Sequence, residues 1–274
     1  MNESRPVVLV TGASGGIGAD LARIFARNGY DLALVARSKE LLEALADEIA
    51  GLGRPRPLVL PCDLAAAGAI DVIAEQLAAA DAVPVILVNN AGYGLLGEVA
   101  ALDPVAQMGI IDVNIHALLG LSLRFLPELR ARRGKILNVA SVVGFFPGPG
   151  MAVYYASKAF VVSFGQALAH ELRGDDVVVT TLCPGVTLTG FQARAGFPTD
   201  VGIMRFGAAT SASVAASGYT GLMAGRRLVI PGLGNKLLCY IAPLIPSAIL
   251  LPLVASMQKR RSTKLDRSNS FASF

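Results

Sequence analysis

Short, continuous apolar runs alternate along the chain with longer alanine-rich segments whose apolar residues recur at helical spacing. Runs such as Val7 to Val10 and Val85 to Val88 lack polar alternation, which indicates strands that are buried on both faces. The alternation predicts βαβ units and an α/β fold, in which a doubly wound parallel sheet of about seven strands is covered by helices on both faces. The other predicted strands are Asp31 to Val35, Leu58 to Leu60, Lys135 to Val139, Val177 to Leu182 and Arg227 to Ile230.

The chain has 274 residues, of which 53% are hydrophobic and 16% are charged, and this composition can supply one large core. We expect a single domain over 1–235, an apolar extension over 236–258 and a basic, flexible tail over 259–274. The stretch from Leu237 to Met257 is uncharged but contains three prolines. It is therefore predicted to form a helix packed on the domain or over the substrate entrance, with peripheral membrane contact through 237–267 as the second interpretation and a membrane span as the third.

Charge and cysteine content argue against several classes of function. The net charge is +4, but much of the basic excess lies after residue 258, so the sequence indicates no basic face for nucleic acid. Ten residues precede the first glycine-rich turn, which is too few for a secretory signal. The cysteines lack metal-ligand spacing, which predicts no metal site and suits reduced thiols in a cytoplasmic protein. They are Cys62, Cys183 and Cys239.

A glycine-rich turn follows the first strand and opens the first helix. Glycines allow positive φ angles there, and they let backbone N–H groups and the positive helix N-terminus approach a pyrophosphate. Such a turn can also serve only to join a strand to a tightly packed helix, but its place after the first strand favours dinucleotide binding. The residues predicted to bind the cofactor here are Gly12, Ser14, Gly15, Gly16, Ile17 and Gly18.

The end of the second strand predicts which nicotinamide cofactor is preferred. A site that selects NAD usually has a carboxylate here for the adenosine ribose, whereas this chain has Ala36 and Arg37. A guanidinium can instead pair with the 2′-phosphate of NADP. We therefore expect NADP(H) to be preferred, with NAD(H) as the alternative cofactor. The competing interpretation is that Arg37 is only an exposed arginine at the start of the second helix.

Ordered motifs over Val7 to Ile230 resemble those of the short-chain dehydrogenase/reductase family, nearest to bacterial members loosely related to hydroxysteroid and ketoacyl reductases. The most specific are the turn from Thr11 to Gly18 and the pair Tyr154 and Lys158. The resemblance implies a Rossmann-type fold and hydride transfer between a nicotinamide cofactor and a carbonyl or alcohol carbon. The other matching residues are Asp63, Asn89, Asn90, Ala91, Gly92, Asn114, Ser141, Pro184 and Gly185.

Tyr154 and Lys158 are the predicted catalytic pair. Their four-residue spacing places them on one face of a helix, where the ammonium is expected to lower the pKa of the phenol toward a value useful for proton transfer. The resemblance implies that Tyr154 is the general acid/base, that Lys158 also binds the nicotinamide ribose, and that Ser141 orients the substrate oxygen. It further implies that Asn114 supports a water between Lys158 and solvent. A helix-interior asparagine bonded to the backbone is the alternative for Asn114.

The resemblance also assigns cofactor contacts at the ends of later strands. These residues equally suit tight turns at strand ends, and both roles are compatible because side chains can shape the turn while the backbone faces the cofactor. The adenine ring is expected beside Asp63 and Leu64, and the adenosine ribose beside Asn90, Ala91 and Gly92. After the sixth strand, the expected contacts are Pro184, Gly185, Thr187 and Thr189.

In the family that this chain resembles, two segments enclose the substrate. One lies between the catalytic serine and tyrosine, and the other is the loop after the proline-glycine pair, here near 186–206. Phe145, Phe146 and Phe191 are the tentative substrate contacts, although these rings could equally pack the core. The sequence therefore predicts a small apolar ketone or aldehyde, or the corresponding alcohol, as substrate. The alternative is an anionic group that meets Arg194 and Arg205 of this loop.

Two alternative functions stay open at this point: a non-catalytic NADP(H)-sensing protein, and a membrane-surface scaffold that uses the C-terminal extension. Sensors in the family that this chain resembles often lack the catalytic tyrosine or lysine. Both Tyr154 and Lys158 are present here, which favours catalysis. The resemblance also implies a homodimer or homotetramer, and no nucleic-acid partner is expected.

Overall fold

The computed structural model describes residues 4–191, 195 and 208–258. Within them, seven parallel strands form one sheet whose spatial order is β3-β2-β1-β4-β5-β6-β9, and two further short strands, β7 and β8, pair with each other. All seven predicted runs are strands of this sheet, which confirms the predicted fold class. The strands are β1 (Arg5–Thr11), β2 (Asp31–Ala36), β3 (Leu58–Pro61), β4 (Ala82–Asn89), β5 (Lys135–Val139), β6 (Val178–Leu182), β7 (Thr187–Leu188), β8 (Ala209–Thr210) and β9 (Leu228–Val229).

Helices cover both faces of this sheet. Asp103 caps one of them, because its Oδ2 accepts a 2.8 Å hydrogen bond from Ala106 N and Pro104 occupies the first turn. The helices are α1 (Gly16–Arg27), α2 (Lys39–Gly51), α3 (Ala69–Ala79), α4 (Pro104–Ile111), α5 (Leu118–Ala131), α6 (Ala152–Glu171), α7 (Ser211–Met223), α8 (Leu233–Ile241) and α9 (Ser247–Gln258), and a π-helical turn at Asp112–Ala117 joins α4 to α5.

The sheet separates two hydrophobic cores. Val8 and Val10 of β1 pack with α1, α2 and α7, whereas Val7 and Leu9 of the same strand pack with α3, α5 and α6. This division follows from the alternation of side chains along a strand. Because both faces are buried, the strand has to be apolar at every position, which is the pattern that its sequence shows.

The apolar C-terminal extension forms two helices instead of one. Helix α8 is followed by a 3₁₀ turn at Ala242–Leu244, and α9 begins after Pro246. Helix α8 buries Cys239 against the cluster that contains Cys183 and Ile230, so the extension packs on the domain. The proposed boundary at residue 235 stays a prediction, and the tail over 259–274 lies outside the described residues.

The continuous helical run Pro104–Ala131 is long and apolar enough to cross a membrane by length and composition. The core explains part of its apolar character, because Leu121, Phe125 and Leu129 are buried against the sheet, whereas Val105, Met108 and Leu123 are exposed. Core helices of globular proteins share this composition.

Candidate active site

A cleft of about 540 Å³ runs along the carboxyl ends of the central strands. In open α/β sheets, ligands bind outside the carboxyl ends of the strands at the point where the strand order reverses, and here it reverses between β1 and β4. The glycine-rich turn lies at one end of the cleft, and the predicted catalytic residues Ser141, Tyr154 and Lys158 lie at the other. One cleft therefore joins the two sets of residues that the sequence singled out.

The glycine-rich turn forms an open cradle at the N-terminus of α1. Gly12 and Gly16 have φ angles of 65° and 56°, which is the region that glycine adopts without strain. Helix α1 has no side-chain cap, and a Cβ built at Gly15 would meet nothing within 4 Å. Free N–H groups and open space at a helix N-terminus suit an anionic group.

Gly18 has a different role from its neighbours. It does not line the cleft, and a Cβ at this position would collide with the backbone oxygen of Gly12 and the side-chain amide of Asn90. Gly18, predicted as a cofactor contact, is therefore a packing glycine that lets α1 approach the turn closely.

Thr11 and Asn90 tie the glycine-rich turn to the loop after β4. Thr11 Oγ1 accepts hydrogen bonds of 3.0 and 3.1 Å from the backbone N–H groups of Asn90 and Ala91. In return, Asn90 Nδ2 donates to the backbone oxygen atoms of Thr11 and Gly12 at 2.9 and 3.2 Å. The loop that contains Asn90, Ala91 and Gly92 is thereby held along the floor of the cleft.

Arg37 and Asp63 lie at the rim of the cleft, together with Leu64. Both charged residues are exposed, and Arg37 forms no ion pair within the described part of the chain. Asp63 Oδ1 accepts a 3.1 Å hydrogen bond from Ala65 N, which fixes the turn after β3. The Arg37 guanidinium is therefore accessible, which fits both the predicted contact with a 2′-phosphate and the competing interpretation of an exposed arginine.

The segment after β6 forms a wall of the cleft. Pro184, Gly185, Thr187 and Thr189 all line the cleft, and a Cβ at Gly16 would lie 3.0 Å from Thr189 Cγ2. Gly185 is required by packing as well, because a Cβ there would lie 2.5 Å from Asn235 Nδ2 at the start of α8. The structure thus brings together the cofactor residues predicted from β1 to β6.

Tyr154 and Lys158 lie on one face of α6, as their spacing predicts, and both are buried. Lys158 Nζ is 5.9 Å from the centroid of the Tyr154 ring and donates a 2.9 Å hydrogen bond to the carbonyl of Val139. Ser141, at the end of β5, donates to the carbonyl of Pro184 at 3.3 Å. Tyr154 also forms a hydrogen bond with Ser141. The end of β5, the end of β6 and the start of α6 therefore meet near the phenol.

Burial dominates the protonation of the catalytic pair. It raises the pKa of Tyr154 well above its ordinary value, and the hydrogen bond with Ser141 only partly opposes this. Burial also lowers the pKa of Lys158 to about 8. The expectation that the ammonium lowers the pKa of the phenol is not met in this structure, because removal of water disfavours both charged forms and Lys158 Nζ bonds to Val139 O.

Asn114 lies in the π-helical turn between α4 and α5, and its side chain is committed to protein contacts. Its Oδ1 accepts from Tyr93 N at 3.0 Å, and its Nδ2 donates to Tyr93 O and Ser157 Oγ at 3.0 and 2.9 Å. Ser157 Oγ in turn donates to Tyr154 O at 2.7 Å. Asn114 therefore positions α6 against the loop after β4, while its predicted water relay stays a prediction.

The catalytic end of the cleft is apolar. The Phe191 ring, one of the predicted substrate contacts, lines the cleft with its centroid 5.3 Å from that of Tyr154. Phe145 and Phe146 do not line it: Phe145 packs against the cluster under α8, and Phe146 contacts the edge of Tyr155 at 5.7 Å. Other apolar side chains complete the lining, namely Leu95, Val113, Val143, Met151 and Val186.

Sequence reasoning missed one contact to this site from the far end of the chain. Gln258, the last residue of α9, is buried and donates a 3.1 Å hydrogen bond to the phenol oxygen of Tyr155. Tyr155 lines the cleft beside Tyr154, at a ring separation of 6.3 Å. No local motif marks Gln258, because its partner lies 103 residues earlier. Residues 192–194 and 196–206 of the predicted substrate loop lie outside the described residues.

Comparison with known proteins identifies the family. The family model for short chain dehydrogenases matches residues 6–197. The chain belongs to this family. It is 38% identical over 188 residues to sulfoacetaldehyde reductase 2 of Chromohalobacter salexigens, covering 68% of this chain and 74% of the relative. This confirms the predicted resemblance, and the chain is accordingly an NAD(P)-binding oxidoreductase of the short-chain dehydrogenase family.

Two solved structures share the fold. A short-chain dehydrogenase from Sphingobium yanoikuyae in complex with NADPH has a TM-score of 0.76 at 33% identity and covers 83% of this chain and 88% of its own. The bulky-bulky ketone specific alcohol dehydrogenase from Comamonas testosteroni has a TM-score of 0.73 at 28% identity, with coverage of 88% and 94%. Both alignments extend over most of the domain that carries the cleft.

Proposed function

We propose that this short-chain dehydrogenase interconverts a hydrophobic ketone or aldehyde and its alcohol with NADP(H). One observation carries the proposal: Tyr154, Ser141 and Lys158 meet at the apolar end of the cleft whose other end is the glycine-rich turn. A nicotinamide cofactor supplies or accepts a hydride at the substrate carbon, and the proton at the substrate oxygen has to come from the protein.

The donor groups along the cleft fit a dinucleotide with a 2′-phosphate. The uncapped N-terminus of α1 and the open space at Gly15 suit a pyrophosphate, and the accessible Arg37 suits a second phosphate on the adenosine ribose. The relative from Sphingobium yanoikuyae was solved with NADPH. We therefore assign the preference for NADP(H) to Arg37.

Tyr154 holds the proton that the reaction moves. Because burial raises its pKa, the phenol is protonated at neutral pH and able to donate to the oxygen of a carbonyl substrate. Ser141 lies beside the phenol and orients that oxygen by a hydrogen bond. The free protein therefore holds Tyr154 in the acid form that carbonyl reduction uses, whereas in alcohol oxidation Tyr154 must first lose its proton.

The lining of the catalytic end favours an apolar substrate. Phe191, Met151 and Val143 pack around the phenol. Among the described charged residues that line the cleft, Lys158 lies at this end, whereas Arg37 and Asp63 lie at the rim. The relative from Comamonas testosteroni is specific for bulky-bulky ketones, which supports a substrate with apolar groups on both sides of the carbonyl.

A paired set of measurements tests the proposal. Bulky apolar ketones, small aldehydes and anionic aldehydes are offered with NADPH and with NADH, and loss of absorbance of the reduced nicotinamide is followed. We expect turnover on the bulky apolar compounds with NADPH, and Arg37→Ala should weaken NADPH binding roughly 10- to 100-fold while leaving NADH binding unchanged. The proposal is contradicted if turnover is restricted to small anionic aldehydes. It is also contradicted if Arg37→Ala weakens the binding of NADPH and of NADH equally.

The sensor alternative requires cofactor binding without turnover, and the same screen separates it from catalysis. The homodimer or homotetramer and the cytoplasmic location stay proposals that rest on the family. Sedimentation velocity of the full chain measures the first of these directly.

A further inference from the structure

The two C-terminal helices expose an apolar surface that the proposed oxidoreductase activity does not use. Among the described residues, nine of the eighteen exposed large apolar side chains lie between residues 233 and 257. This segment is less than a tenth of the chain, so the exposure is concentrated and not the scattered kind found on any soluble surface. We call these nine residues the C-terminal apolar surface: Leu233, Leu237, Leu238, Tyr240, Ile241, Leu244, Ile249, Leu253 and Met257.

Helix α9 shows that domain packing does not account for this surface. Leu250, Val254 and Gln258 are four residues apart and are buried, so they form the face of the helix that contacts the domain. Ile249, Leu253 and Met257 repeat at the same spacing and are exposed. A surface helix ordinarily has polar residues on its outer face, whereas α9 is apolar on both.

Helix α8 repeats the arrangement. Cys239 is its buried contact, while Leu233, Leu237 and Tyr240 are exposed at helical spacing, and Leu244 in the following turn is 80% exposed. Between Gly232 and Gln258 the one charged residue is Lys236, which is exposed. The C-terminal apolar surface therefore carries no negative charge of its own.

The sequence that follows α9 determines what this surface fits. Lys259, Arg260 and Arg261 come directly after the helix, and Lys264 and Arg267 follow, with Asp266 as the one acidic residue in that stretch. An apolar helix face next to a cluster of basic residues is the combination that binds the interface of an anionic lipid bilayer.

We propose that the C-terminal apolar surface and the adjoining basic segment bind the protein peripherally to an anionic membrane surface. The apolar side chains enter the region between headgroups and acyl chains, and the basic side chains lie at the headgroup phosphates.

Vesicle flotation tests the proposal with the full chain and without any measurement of turnover, so its failure is distinct from failure of the proposed activity. The vesicles are pure phosphatidylcholine, or phosphatidylcholine with about one-third phosphatidylglycerol. We expect the wild type to float with the anionic vesicles, with binding that weakens as salt rises.

Three variants locate the contact. Leu253→Glu, alone and with Ile249→Glu, should weaken vesicle binding by roughly tenfold or more. Replacing Lys259, Arg260 and Arg261 by Gln should weaken it by a similar factor and reduce its salt dependence. Leu41→Glu is the matched control, because Leu41 and Leu253 are 53% and 56% exposed, and it should bind like the wild type.

Several results would overturn the proposal. They are absence of flotation by the wild type, equal binding to both vesicle types, or wild-type binding by Leu253→Glu. If Leu253→Glu instead changes the sedimentation coefficient without vesicles, the surface is an interface between copies of the chain. Circular dichroism melting of each variant shows that it is folded, and the single Leu253→Glu variant decides the outcome if the double variant is not.

Discussion

The proposed chemistry depends on the phenol group of Tyr154. Replacing Tyr154 by Phe keeps the ring contact with Phe191 and removes the transferable proton. We expect turnover to fall by roughly 10²- to 10⁴-fold while NADPH binding persists. Steady-state rates and a fluorescence titration of NADPH measure the two effects.

Tyr155→Phe is the matched control for that substitution. The two phenols are neighbours on α6, but Tyr155 bonds to Gln258 and Tyr154 to Ser141. Turnover by Tyr155→Phe should therefore fall much less. Near-normal turnover by Tyr154→Phe, or abolished turnover by Tyr155→Phe, would show that the proton donor has been misassigned.

Lys158 should lower the stability of the free protein at neutral pH. Its folded pKa of about 8 lies below its ordinary value of 10.5, so between these values the unfolded chain binds more protons and stability rises with pH. Lys158→Met removes this cost of a buried ammonium. We expect the variant to be more stable at pH 7 by on the order of 1–3 kcal/mol, and this difference to shrink as the pH approaches 10.5.

Urea unfolding of both proteins at a series of pH values measures that difference. The same variant should bind NADPH more weakly, because the ammonium is expected to contact the nicotinamide ribose. A stability difference that does not change with pH would show that Lys158 is not a buried cation in the folded protein.

At the scale of elements, two glycines at the junction of β1 and α1 differ in the space around them. A Cβ at Gly18 collides with the backbone of Gly12 and the side chain of Asn90, whereas a Cβ at Gly15 meets nothing within 4 Å, and the φ of Gly15 is an extended value open to any residue. Gly18→Ala should therefore cost about 1–3 kcal/mol of stability, and Gly15→Ala should cost less than about 0.5 kcal/mol. Thermal unfolding without cofactor compares them, and equal losses would contradict the assignment of Gly18 to packing.

Helix α9 should influence substrate binding through Gln258. Gln258→Leu removes the hydrogen bond to Tyr155, whose ring also contacts Phe146 and Tyr154. We expect KM for a bulky ketone to rise roughly 3- to 10-fold with a smaller change in kcat, because the bond positions a wall of the cleft and moves no proton.

Gln166→Leu is the control for Gln258→Leu, since Gln166 bonds only within its own helix among the described contacts, to Val162 O at 3.3 Å. It should leave both constants unchanged. A fall in kcat for Gln258→Leu as large as the rise in KM would point to a general loss of structure and would contradict the positioning role.

At the scale of the whole molecule, the cleft joins both halves of the sheet, so a bound cofactor should stabilise the complete domain. Contacts come from the turn after β1, the loop after β4 and the segment after β6. NADPH at about a hundred times its dissociation constant should add about 2.7 kcal/mol to the free energy of unfolding. Unfolding monitored by circular dichroism with and without NADPH measures this, and Arg37→Ala should need a higher NADPH concentration for the same gain. No shift at any concentration would mean that NADPH is not the ligand of the cleft.

The sequence alone determined the sheet, the glycine-rich turn and the spacing of Tyr154 and Lys158. These are local properties: strands buried on both faces must be continuously apolar, certain backbone angles need glycine, and residues four apart share a helix face. The family motifs then predicted which residues would meet at the carboxyl edge of the sheet, and the cleft brings nearly all of them together.

Only the tertiary structure decided the features that depend on what lies next to what across the chain. It separated Phe191, in the cleft, from Phe145 and Phe146, behind it. It set the direction of the pKa of Tyr154, because the loss of water around the phenol outweighs the hydrogen bond with Ser141. It also brought Gln258 to Tyr155 and left the outer face of α9 uncovered by the domain, since burial is determined by the packed chain and not by the periodicity of one segment.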